Sequence, residues 1–345
     1  MPAIPMVEVA GRIKEIPVSQ PGQVPLGDLL AGGEPVVLRG LARHWPLVSK
    51  GLESEAEARR YIASCYNGRP IDFNHGGPEA RSRAFYNDDF TALNFKVRRG
   101  KLDEVLEEIG QHIADDPQPL YYVASLPLDY CLPGLRAEHV LAFPTPGVDP
   151  PPSIWIGTRT IASCHYDAPN NVACVAVGRR RFTMFPPEQI FNLYPGPLDP
   201  TPGGQAVSTV DFATPDFDRH PRFREALAAG LTAVLEPGDA IFVPSMWWHH
   251  VEGLSPFNTL VNYWWSSAPA HVPTPMNTLL HAMWTVRDLP EREKKAWQQV
   301  FEYYVFGPSE LAGAHLPEQS RGMLNRFDET RARQLRSFLI NKLNR

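Results

Sequence analysis

The fold of this chain is decided between residues 153 and 265, where the sequence reads SIWIG (153–157), NVACVAVG (171–178), RRFTMFPP (180–187), TAVLEPGDAIFVP (232–244) and TLVNYWW (259–265). Proline and glycine separate these short apolar runs, and a Pro- and Gly-rich insert covers 195–230. Evenly spaced short strands with turn residues between them are typical of a β-sandwich or a jelly roll. The pattern therefore predicts a mainly β domain, with a short helix at 221–229 inside the insert.

The segments on either side of this region follow other patterns. Apolar residues at helical spacing predict helices at 53–65 and 102–114, and short apolar runs predict strands at 35–41 and 119–125. Beyond residue 270 the spacing predicts three more helices, at 274–288, 290–306 and 329–343. We therefore expect one domain over residues 1–270 and a helical region over residues 271–345.

The predicted C-terminal helices carry a strong apolar stripe. Its members are Trp297, Val300, Phe301, Tyr304, Leu335, Phe338 and Leu339. Such a stripe either packs on the main domain or forms an interface between two copies of the chain. The small size of this region favours the interface, so we expect a homodimer through the C-terminal helices.

The overall composition is that of an ordinary globular protein. The 345 residues are 43% hydrophobic and 21% charged, with a net charge of −5, which leaves no basic field to hold a nucleic acid. The cysteines show no CxxC spacing, and the first residues show no signal-peptide pattern. No stretch approaches the roughly 20 apolar residues of a membrane helix. We expect a reduced, cytoplasmic protein that binds neither nucleic acid nor membrane.

The residues HYDAPNN (165–171) point to a metal ion. Positions i and i+2 of a strand lie on the same side, so His165 and Asp167 can offer an imidazole and a carboxylate to one ion. A third ligand is available from the predicted strand that follows 240–243, where His249 and His250 are both candidates. By itself a His-x-Asp pair is also compatible with a hydrogen-bonded surface pair. The distant histidine and the intervening β pattern favour a metal.

Two histidines and one carboxylate form the ligand set of non-haem Fe(II) oxygenases, because they leave three coordination positions open. A structural zinc site would close its fourth position, often with cysteine. The spacing therefore indicates an iron(II) site.

These motifs resemble those of the JmjC/cupin-like Fe(II)- and 2-oxoglutarate-dependent oxygenases, most closely the asparaginyl hydroxylase called factor inhibiting hypoxia-inducible factor. The similarity is carried by HYDAPNN (165–171), RRRFTMFPPEQIFNLYPGPLDP (179–200), TVDFATPDFDRHPRF (209–223), LEPGDAIFVPSMWWHHVEGL (235–254) and LVNYWW (260–265). It covers residues 30–270, and extends more loosely over the C-terminal helices, which form the dimer in that hydroxylase. The resemblance implies a double-stranded β-helix (jelly roll or cupin) with flanking helices, Fe(II) as cofactor and 2-oxoglutarate as cosubstrate.

The resemblance also implies the metal ligands. They are His165, Asp167 and His249, and the last is chosen over His250 by the family's P-x-x-W-x-H spacing from Pro244. Related halogenases replace the carboxylate with a small residue, so Asp167 favours hydroxylation over halogenation.

The family holds the far carboxylate of 2-oxoglutarate with a lysine, and Arg180 stands at the matching position. Strand alternation supports this role, because Arg180 shares a face with Phe182 and Met184, whereas Arg179 and Arg181 face outward. A buried, unpaired guanidinium is costly, and a ligand carboxylate could pair with it through two hydrogen bonds. The alternative is a protein Asp or Glu that pairs with Arg180.

Four more cosubstrate-binding residues follow from the resemblance alone. They are Tyr122, with Tyr121 as its near competitor, Asn171, Asn262 and Trp264. Each is also compatible with an ordinary role in the core or in a turn. One position departs from the family: Ala162 stands where a threonine is usual, and Ser163 follows it. One hydroxyl is therefore missing or shifted.

We accordingly predict a 2-oxoglutarate-dependent dioxygenase that hydroxylates a C–H bond of a protein or peptide side chain, or of a small molecule. The alternatives are a non-catalytic cupin-like module that binds a metal or ligand, and an N-methyl demethylase. Substrate contacts are expected from the loops at 78–95, 126–150 and 195–220, with Phe85, Tyr86, Asn87 and Asp88 as candidates.

Overall fold

The structure, a computed structural model, describes residues 8–18, 20–139, 141 and 150–344. Its strands are β1 (Gly11–Arg12), β2 (Lys14–Pro17), β3 (Val36–Arg39), β4 (Ile71–Gly76), β5 (Arg83–Ala84), β6 (Lys96–Gly100), β7 (Leu120–Pro127), β8 (Pro152–Gly157), β9 (Ile161–Tyr166), β10 (Asn170–Val177), β11 (Arg180–Phe185), β12 (Leu231–Leu235), β13 (Ala240–Val243), β14 (Trp248–Gly253) and β15 (Asn258–Trp265).

Its α-helices are α1 (Leu26–Gly32), α2 (Pro46–Glu53), α3 (Glu55–Ser64), α4 (Leu102–Gln111), α5 (Leu128–Cys131), α6 (Pro133–Glu138), α7 (Phe223–Ala229), α8 (Pro275–Thr285), α9 (Glu291–Phe301) and α10 (Glu329–Leu343). The contacts divide the chain into two compact units, Met1–Ser266 and Ser267–Arg345.

The first unit is built on two β-sheets. One has six strands in the order β1-β12-β11-β14-β9-β5, and the other has nine in the order β2-β3-β13-β10-β15-β8-β7-β4-β6. The eight strands from β8 to β15 divide between the sheets, four in each, and adjacent strands among them pair antiparallel. This is the predicted jelly roll, a double-stranded β-helix, and the prediction of the fold class is confirmed.

The central strands of the nine-stranded sheet are buried on both faces. On one face, Val172 of β10 and Val261 of β15 share a hydrophobic cluster with helix residues such as Leu106. On the other face, Ala173 and Leu260 share a second cluster with residues of the six-stranded sheet. Because both faces are covered, these strands are almost continuously apolar in sequence, which explains runs such as NVACVAVG.

The predicted flanking elements correspond to observed ones. The strands predicted at 35–41 and 119–125 are β3 and β7, and the helices predicted at 53–65, 102–114 and 221–229 are α3, α4 and α7. Helix α3 has Ser54 as its N-cap, and Ser54 Oγ accepts a hydrogen bond of 3.1 Å from the backbone N–H of Glu57. Helix α2 was not expected; it precedes α3 directly and has a proline at its first position.

The second unit contains the three predicted C-terminal helices, and α9 continues into a π-helical turn at Glu302–Phe306. Within the described residues, α8, α9 and α10 bury no side chain fully. Trp297, Val300, Tyr304, Phe338 and Leu339 of the predicted stripe are all exposed.

All four cysteines, Cys65, Cys131, Cys164 and Cys174, are free thiols. In the part of the chain that the structure describes, every helix is too short or too polar to cross a membrane.

Candidate metal centre and adjoining pocket

The structure brings His165, Asp167 and His249 together. His165 on β9 is the direct register partner of His249 on β14, and their ring centroids are 4.3 Å apart. Asp167 follows the end of β9, and its Oδ2 lies 3.6 Å from His249 Nε2. One ligand atom from each of the three residues lies within 4.8 Å of the other two. Three donors at this spacing could hold one metal ion.

The two imidazoles are oriented for a metal by the main chain. His165 Nδ1 lies 2.8 Å from the carbonyl oxygen of Ser163, and His249 Nδ1 lies 3.0 Å from that of Trp247. A carbonyl oxygen only accepts, so each Nδ1 carries the proton and donates it. Each Nε2 therefore keeps its lone pair for a metal, and the second hydrogen bond holds the ring in place.

The protonation states also suit metal binding. Burial, together with the neighbouring His249, lowers the pKa of His165 to about 4. Burial opposes ionisation of Asp167, but the nearby rings of His249 and His165 outweigh it and lower the pKa of the carboxyl. Near neutral pH, His165 is therefore neutral and Asp167 is ionised, the forms that bind a metal.

His250 points away from this centre, into the fold. Its ring stacks on Phe212 with centroids 4.4 Å apart, and burial holds its pKa well below the ordinary value. Alternation along β14 places neighbouring residues on opposite faces, so only one of the two histidines can face Asp167. That histidine is His249. Its side chain and that of Asp167 are largely buried, unlike those of a surface His–Asp pair.

A pocket between the two sheets adjoins the three residues. The six-stranded sheet contributes Ala162, His165, Arg180, Phe182, His249 and Val251. The nine-stranded sheet contributes Tyr122, Trp155, Asn171, Ala173, Leu260, Asn262 and Trp264. All five residues predicted to bind the cosubstrate therefore line the same pocket as the candidate metal ligands.

Arg180 is the unusual residue of this pocket. It is 3% exposed, and its Nε and Nη2 make no hydrogen bond. No carboxylate of the described residues pairs with it, so the protein partner considered from sequence is not found there. Burial lowers the pKa of Arg180, opposed weakly by nearby Tyr122. The guanidinium is positioned for an anion that the protein itself does not supply.

The neighbours of Arg180 behave partly as alternation predicts. Arg179 is exposed and pairs with Glu236 at 2.8 Å. Arg181, expected to face outward, leaves the pocket but is not free in solvent: it is mostly covered and pairs with Glu252 at 3.3 Å. The two side chains meet because Arg181 and Glu252 are register partners on the paired strands β11 and β14.

Tyr122, rather than Tyr121, faces the pocket. Tyr121 lies on the opposite face of β7 and stacks on Phe73, with centroids 6.3 Å apart. Burial raises the pKa of Tyr122 to about 12, so its hydroxyl keeps its proton. Arg180 lowers that pKa and Asp167 raises it, because both charges lie near the tyrosine in the same pocket.

The missing threonine hydroxyl is not replaced by Ser163. The Ser163 hydroxyl accepts a hydrogen bond of 2.8 Å from Arg83 Nε, outside the pocket lining. Ala162 and His165 both line the pocket although they are three residues apart, because a register shift in the pairing of β9 with β14 adds one residue to β9. The pocket therefore has a methyl group where the family usually has a hydroxyl.

Two of the predicted substrate loops are joined to each other and to β9. Strand β5, in the loop at 78–95, pairs with β9. Tyr86 of the same loop donates a hydrogen bond of 2.9 Å to the carbonyl oxygen of Pro197, in the loop at 195–220. The backbone N–H of Ser208, also in that second loop, donates to the carbonyl oxygen of Cys164 on β9. Tyr86 is buried and Phe85 packs beneath the Arg83 guanidinium at 3.6 Å, so both shape the loop. Asp88 is exposed. In the third loop, residues 128–131 and 133–138 form α5 and α6, and residues 140 and 142–149 lie outside the described residues.

Sequence reasoning missed Trp155 as a pocket residue. The run SIWIG alternates, with Ile154 and Ile156 in the main hydrophobic cluster and Trp155 on the other face. That alternation was a usable signal. Nothing in the sequence, however, shows that the face of Trp155 meets Asn262, because the contact depends on the pairing of β8 with β15.

Comparison with known proteins agrees with this geometry. The family profile described as "Cupin-like domain" matches residues 23–271. The chain is 36% identical over 253 residues to the zebrafish (Danio rerio) HSPB1-associated protein 1 homolog, an alignment that covers 67% of the chain and 51% of that protein. It is 28% identical over 241 residues to Drosophila melanogaster Jumonji C domain-containing protein 5, with 68% and 55% covered.

A third relative is Lysine-specific demethylase 8 of Xenopus tropicalis, 25% identical over 236 residues, with 68% of the chain and 48% of the relative covered. The chain thus spans about half the length of these three curated relatives. The particular likeness to the asparaginyl hydroxylase stays a prediction. The fold, the arrangement of the three ligands and the match over residues 23–271 together show that the chain belongs to the JmjC/cupin-like domain family.

Proposed function

We propose that this protein is an Fe(II)- and 2-oxoglutarate-dependent oxygenase. One observation carries the proposal: the buried Arg180 guanidinium, which has no carboxylate partner among the described residues, lines the same pocket as two imidazoles and a carboxylate that converge on one point. The first feature calls for an anion and the second for a divalent metal ion. 2-Oxoglutarate is an anion with a second carboxylate and an oxo group that chelate a metal.

The donor set suits iron(II). His165 and His249 would each offer Nε2 and Asp167 a carboxylate oxygen, the combination that leaves open positions for other ligands. None of the four cysteines belongs to the cluster found in the described residues, which argues against a closed structural zinc site.

The state of Arg180 suits a carboxylate ligand. Burying an unpaired charge is strongly unfavourable, and a carboxylate that forms two parallel hydrogen bonds would offset that cost. Tyr122, with its protonated hydroxyl, lies close enough to influence Arg180 and would donate to the same carboxylate. Asn171, Asn262 and Trp264 would line the rest of the cosubstrate site.

When bound, iron and 2-oxoglutarate would supply oxidation of a substrate C–H bond by O2, one oxygen atom entering the product and the other entering succinate as 2-oxoglutarate loses CO2. The protein's own residues would bind, orient and exclude water. Phe182, Val251 and Leu260 give the pocket apolar walls. No acid–base side chain is required, and the metal centre accounts for the chemistry.

We infer that hydroxylation is the reaction and that a protein or peptide side chain is the first candidate substrate, followed by a small molecule. An N-methyl demethylase would use the same site, and one relative bears the name Lysine-specific demethylase 8. Products distinguish the two. A hydroxylase leaves one oxygen atom on the product, whereas a demethylase releases formaldehyde.

The decisive experiment measures binding and turnover of 2-oxoglutarate. We expect calorimetry with Mn(II) as the iron surrogate to show metal-dependent binding, and Fe(II) under air to yield succinate. Asp167→Ala should abolish both. Absence of 2-oxoglutarate binding in the presence of the metal would overturn the proposal. Binding without succinate release, even with candidate substrates, would support the non-catalytic module, which Ala162 and Arg180 favour as departures from the family pattern.

We also propose that the second unit forms a homodimer. The apolar side chains of α9 and α10 are exposed, and α8, α9 and α10 bury no described side chain fully. A second copy of the same helices would offer a matching apolar surface.

A further inference from the structure

A chain of hydrogen bonds crosses three adjacent strands at the floor of the pocket. Trp155 Nε1 donates to Asn262 Oδ1 at 2.8 Å, and Asn262 Nδ2 donates to Asn171 Oδ1 at 3.3 Å. The three residues lie on β8, β15 and β10, which are neighbours in the nine-stranded sheet. All three side chains line the pocket.

These hydrogen bonds can run in only one direction, from Trp155 through Asn262 to Asn171. The indole N–H of Trp155 is a donor and never an acceptor, so the Asn262 atom beside it must be the amide oxygen. Asn262 then presents its NH2 group to Asn171, and the Asn171 atom that receives it must also be oxygen. The orientation of both amides therefore follows from a single N–H group at the start of the chain.

Asn171, the last residue in this series of hydrogen bonds, accepts through Oδ1 and has its NH2 group left over as a donor. Asn171 is 7% exposed, and its Nδ2 has no hydrogen-bond acceptor among the described residues. Asn171 precedes Val172 on β10, and it lies in the same pocket as Arg180 and the candidate metal ligands. An amide NH2 group at the pocket lining can donate to an oxygen atom of a bound ligand.

The indole that sets this direction is itself held firmly. Its ring meets Trp264 edge-on, with centroids 5.6 Å apart, and lies 5.8 Å from the ring of Tyr122. Aromatic contacts on two sides restrict rotation of the indole. The Nε1–H group of Trp155 is thus held in the direction of Asn262 Oδ1.

We propose that Trp155 is a positioning residue that acts through Asn262 to make Asn171 an N–H donor toward the oxygen atoms of the bound 2-oxo acid. This inference rests on the proposed function. Without the Trp155 N–H, the two amides could turn together and present Asn171 Oδ1 to the ligand instead. Two oxygen atoms would then repel each other where a hydrogen bond had been.

The test is a double-mutant cycle on 2-oxoglutarate binding, with Mn(II) present. Trp155→Phe removes the N–H but keeps an aromatic ring, and should weaken 2-oxoglutarate binding by about fivefold to tenfold, the loss expected for one hydrogen bond. In an Asn171→Ala background the same substitution should have no further effect, because the group through which it acts is gone. Binding of Mn(II) alone should not change in either case.

Two further variants separate positioning from a general structural effect. Asn262→Ala breaks the chain in the middle, so combining it with Trp155→Phe should be no worse than either change alone. Trp45→Phe makes the same substitution at a fully buried position that does not line the pocket, and should leave 2-oxoglutarate affinity unchanged.

Two results would overturn the inference while leaving the proposed function intact. One is unchanged 2-oxoglutarate affinity in Trp155→Phe. The other is an equal loss in the presence and absence of Asn171, which would mean that Trp155 acts directly. If the unaltered protein fails to bind 2-oxoglutarate with Mn(II), the proposed function fails first and the inference falls with it.

Discussion

His165 and His249 are register partners on adjacent antiparallel strands, and each ring donates its Nδ1 proton to the carbonyl oxygen two residues before it. The same kind of hydrogen bond to the main chain thus holds the imidazole on each of the two strands. Their Nε2 atoms are left as free acceptors near the Asp167 carboxylate, which explains how a short β-sheet segment prepares three metal ligands without a metal-specific loop.

Removal of the carboxylate should abolish metal binding. We expect Asp167→Ala to weaken Mn(II) or Fe(II) binding by more than about 100-fold, because even the loss of an outer residue that orients a ligand costs about 10- to 100-fold. Calorimetry would measure it. His250→Phe is the matched control: it keeps a ring against Phe212 and should bind metal normally. Normal binding in Asp167→Ala would show that the ligand set is wrong.

Arg180 should contribute to binding at the expense of stability. Arg180→Met removes a buried guanidinium without a partner, so we expect the ligand-free protein to unfold at a higher denaturant concentration, with a gain of roughly 1 kcal/mol or more. The same variant should bind 2-oxoglutarate about 10- to 100-fold more weakly, since it loses charge-assisted hydrogen bonds. Urea unfolding and calorimetry test the two effects. Unchanged affinity would remove Arg180 from the cosubstrate site.

The turn that leads into Arg180 requires glycine. Gly178 has φ +74, and a Cβ there would lie 2.6 Å from the backbone oxygen of Phe257. Gly204 has φ +92 but no atom within 4 Å of the same position. We expect Gly204→Ala to cost about 1 kcal/mol of unfolding free energy through backbone strain alone. Gly178→Ala should cost ~2 kcal/mol more through the clash. Equal losses in urea unfolding would contradict this.

Acid should destabilise the protein partly through His139. This residue is fully buried, accepts a hydrogen bond from the Leu47 N–H at 3.2 Å, and donates from Nδ1 to Leu135 O. Burial lowers its pKa below 6.5, although Leu135 O and Glu138 raise it and His44 lowers it further. The unfolded chain therefore takes up a proton first, and stability falls as the pH drops below 6.5.

His139→Gln can keep a donor and an acceptor at this place but does not titrate. Its unfolding free energy should fall less steeply than that of the unaltered protein between pH 6.5 and pH 5, by up to about 1.4 kcal/mol per pH unit. Urea unfolding at several pH values measures the slope. Identical slopes would mean that His139 takes up its proton equally in both states.

The exposed stripe of the second unit should hold two copies together. Phe338→Glu places a charge within this apolar surface and should convert a dimer to a monomer, as measured by light scattering on a sizing column. Leu52→Glu changes an exposed leucine of the first unit, and should leave the mass unchanged. A monomeric unaltered protein would refute the proposed dimer.

Much of the site was predictable because strand alternation is a local property. Arg180 shares a face with Phe182 and Met184 in any strand, and His165 shares one with Asp167, whatever the rest of the chain does. Arg180 accordingly lies in the pocket. The regular spacing of short apolar runs likewise made the jelly roll predictable before any contact was known.

Other features depend on register between distant segments. Ala162 and His165 line the pocket together only because β9 carries an extra residue opposite β14, and simple alternation would separate them. The choice between Tyr121 and Tyr122 could not be made from two adjacent tyrosines in an apolar strand. It depends on which face of β7 meets the second sheet.

The sequence by itself determined the strand pattern, the spacing of His165 and Asp167, and the face on which Arg180 lies, because each follows from a few consecutive residues. Only the tertiary structure placed His249 beside His165 and Asp167 and turned His250 away, left Arg180 without a carboxylate partner among the described residues, and linked Trp155 to Asn171 through Asn262. These relations join residues up to 107 positions apart. They exist only when the pairing of the strands brings the side chains within hydrogen-bonding distance.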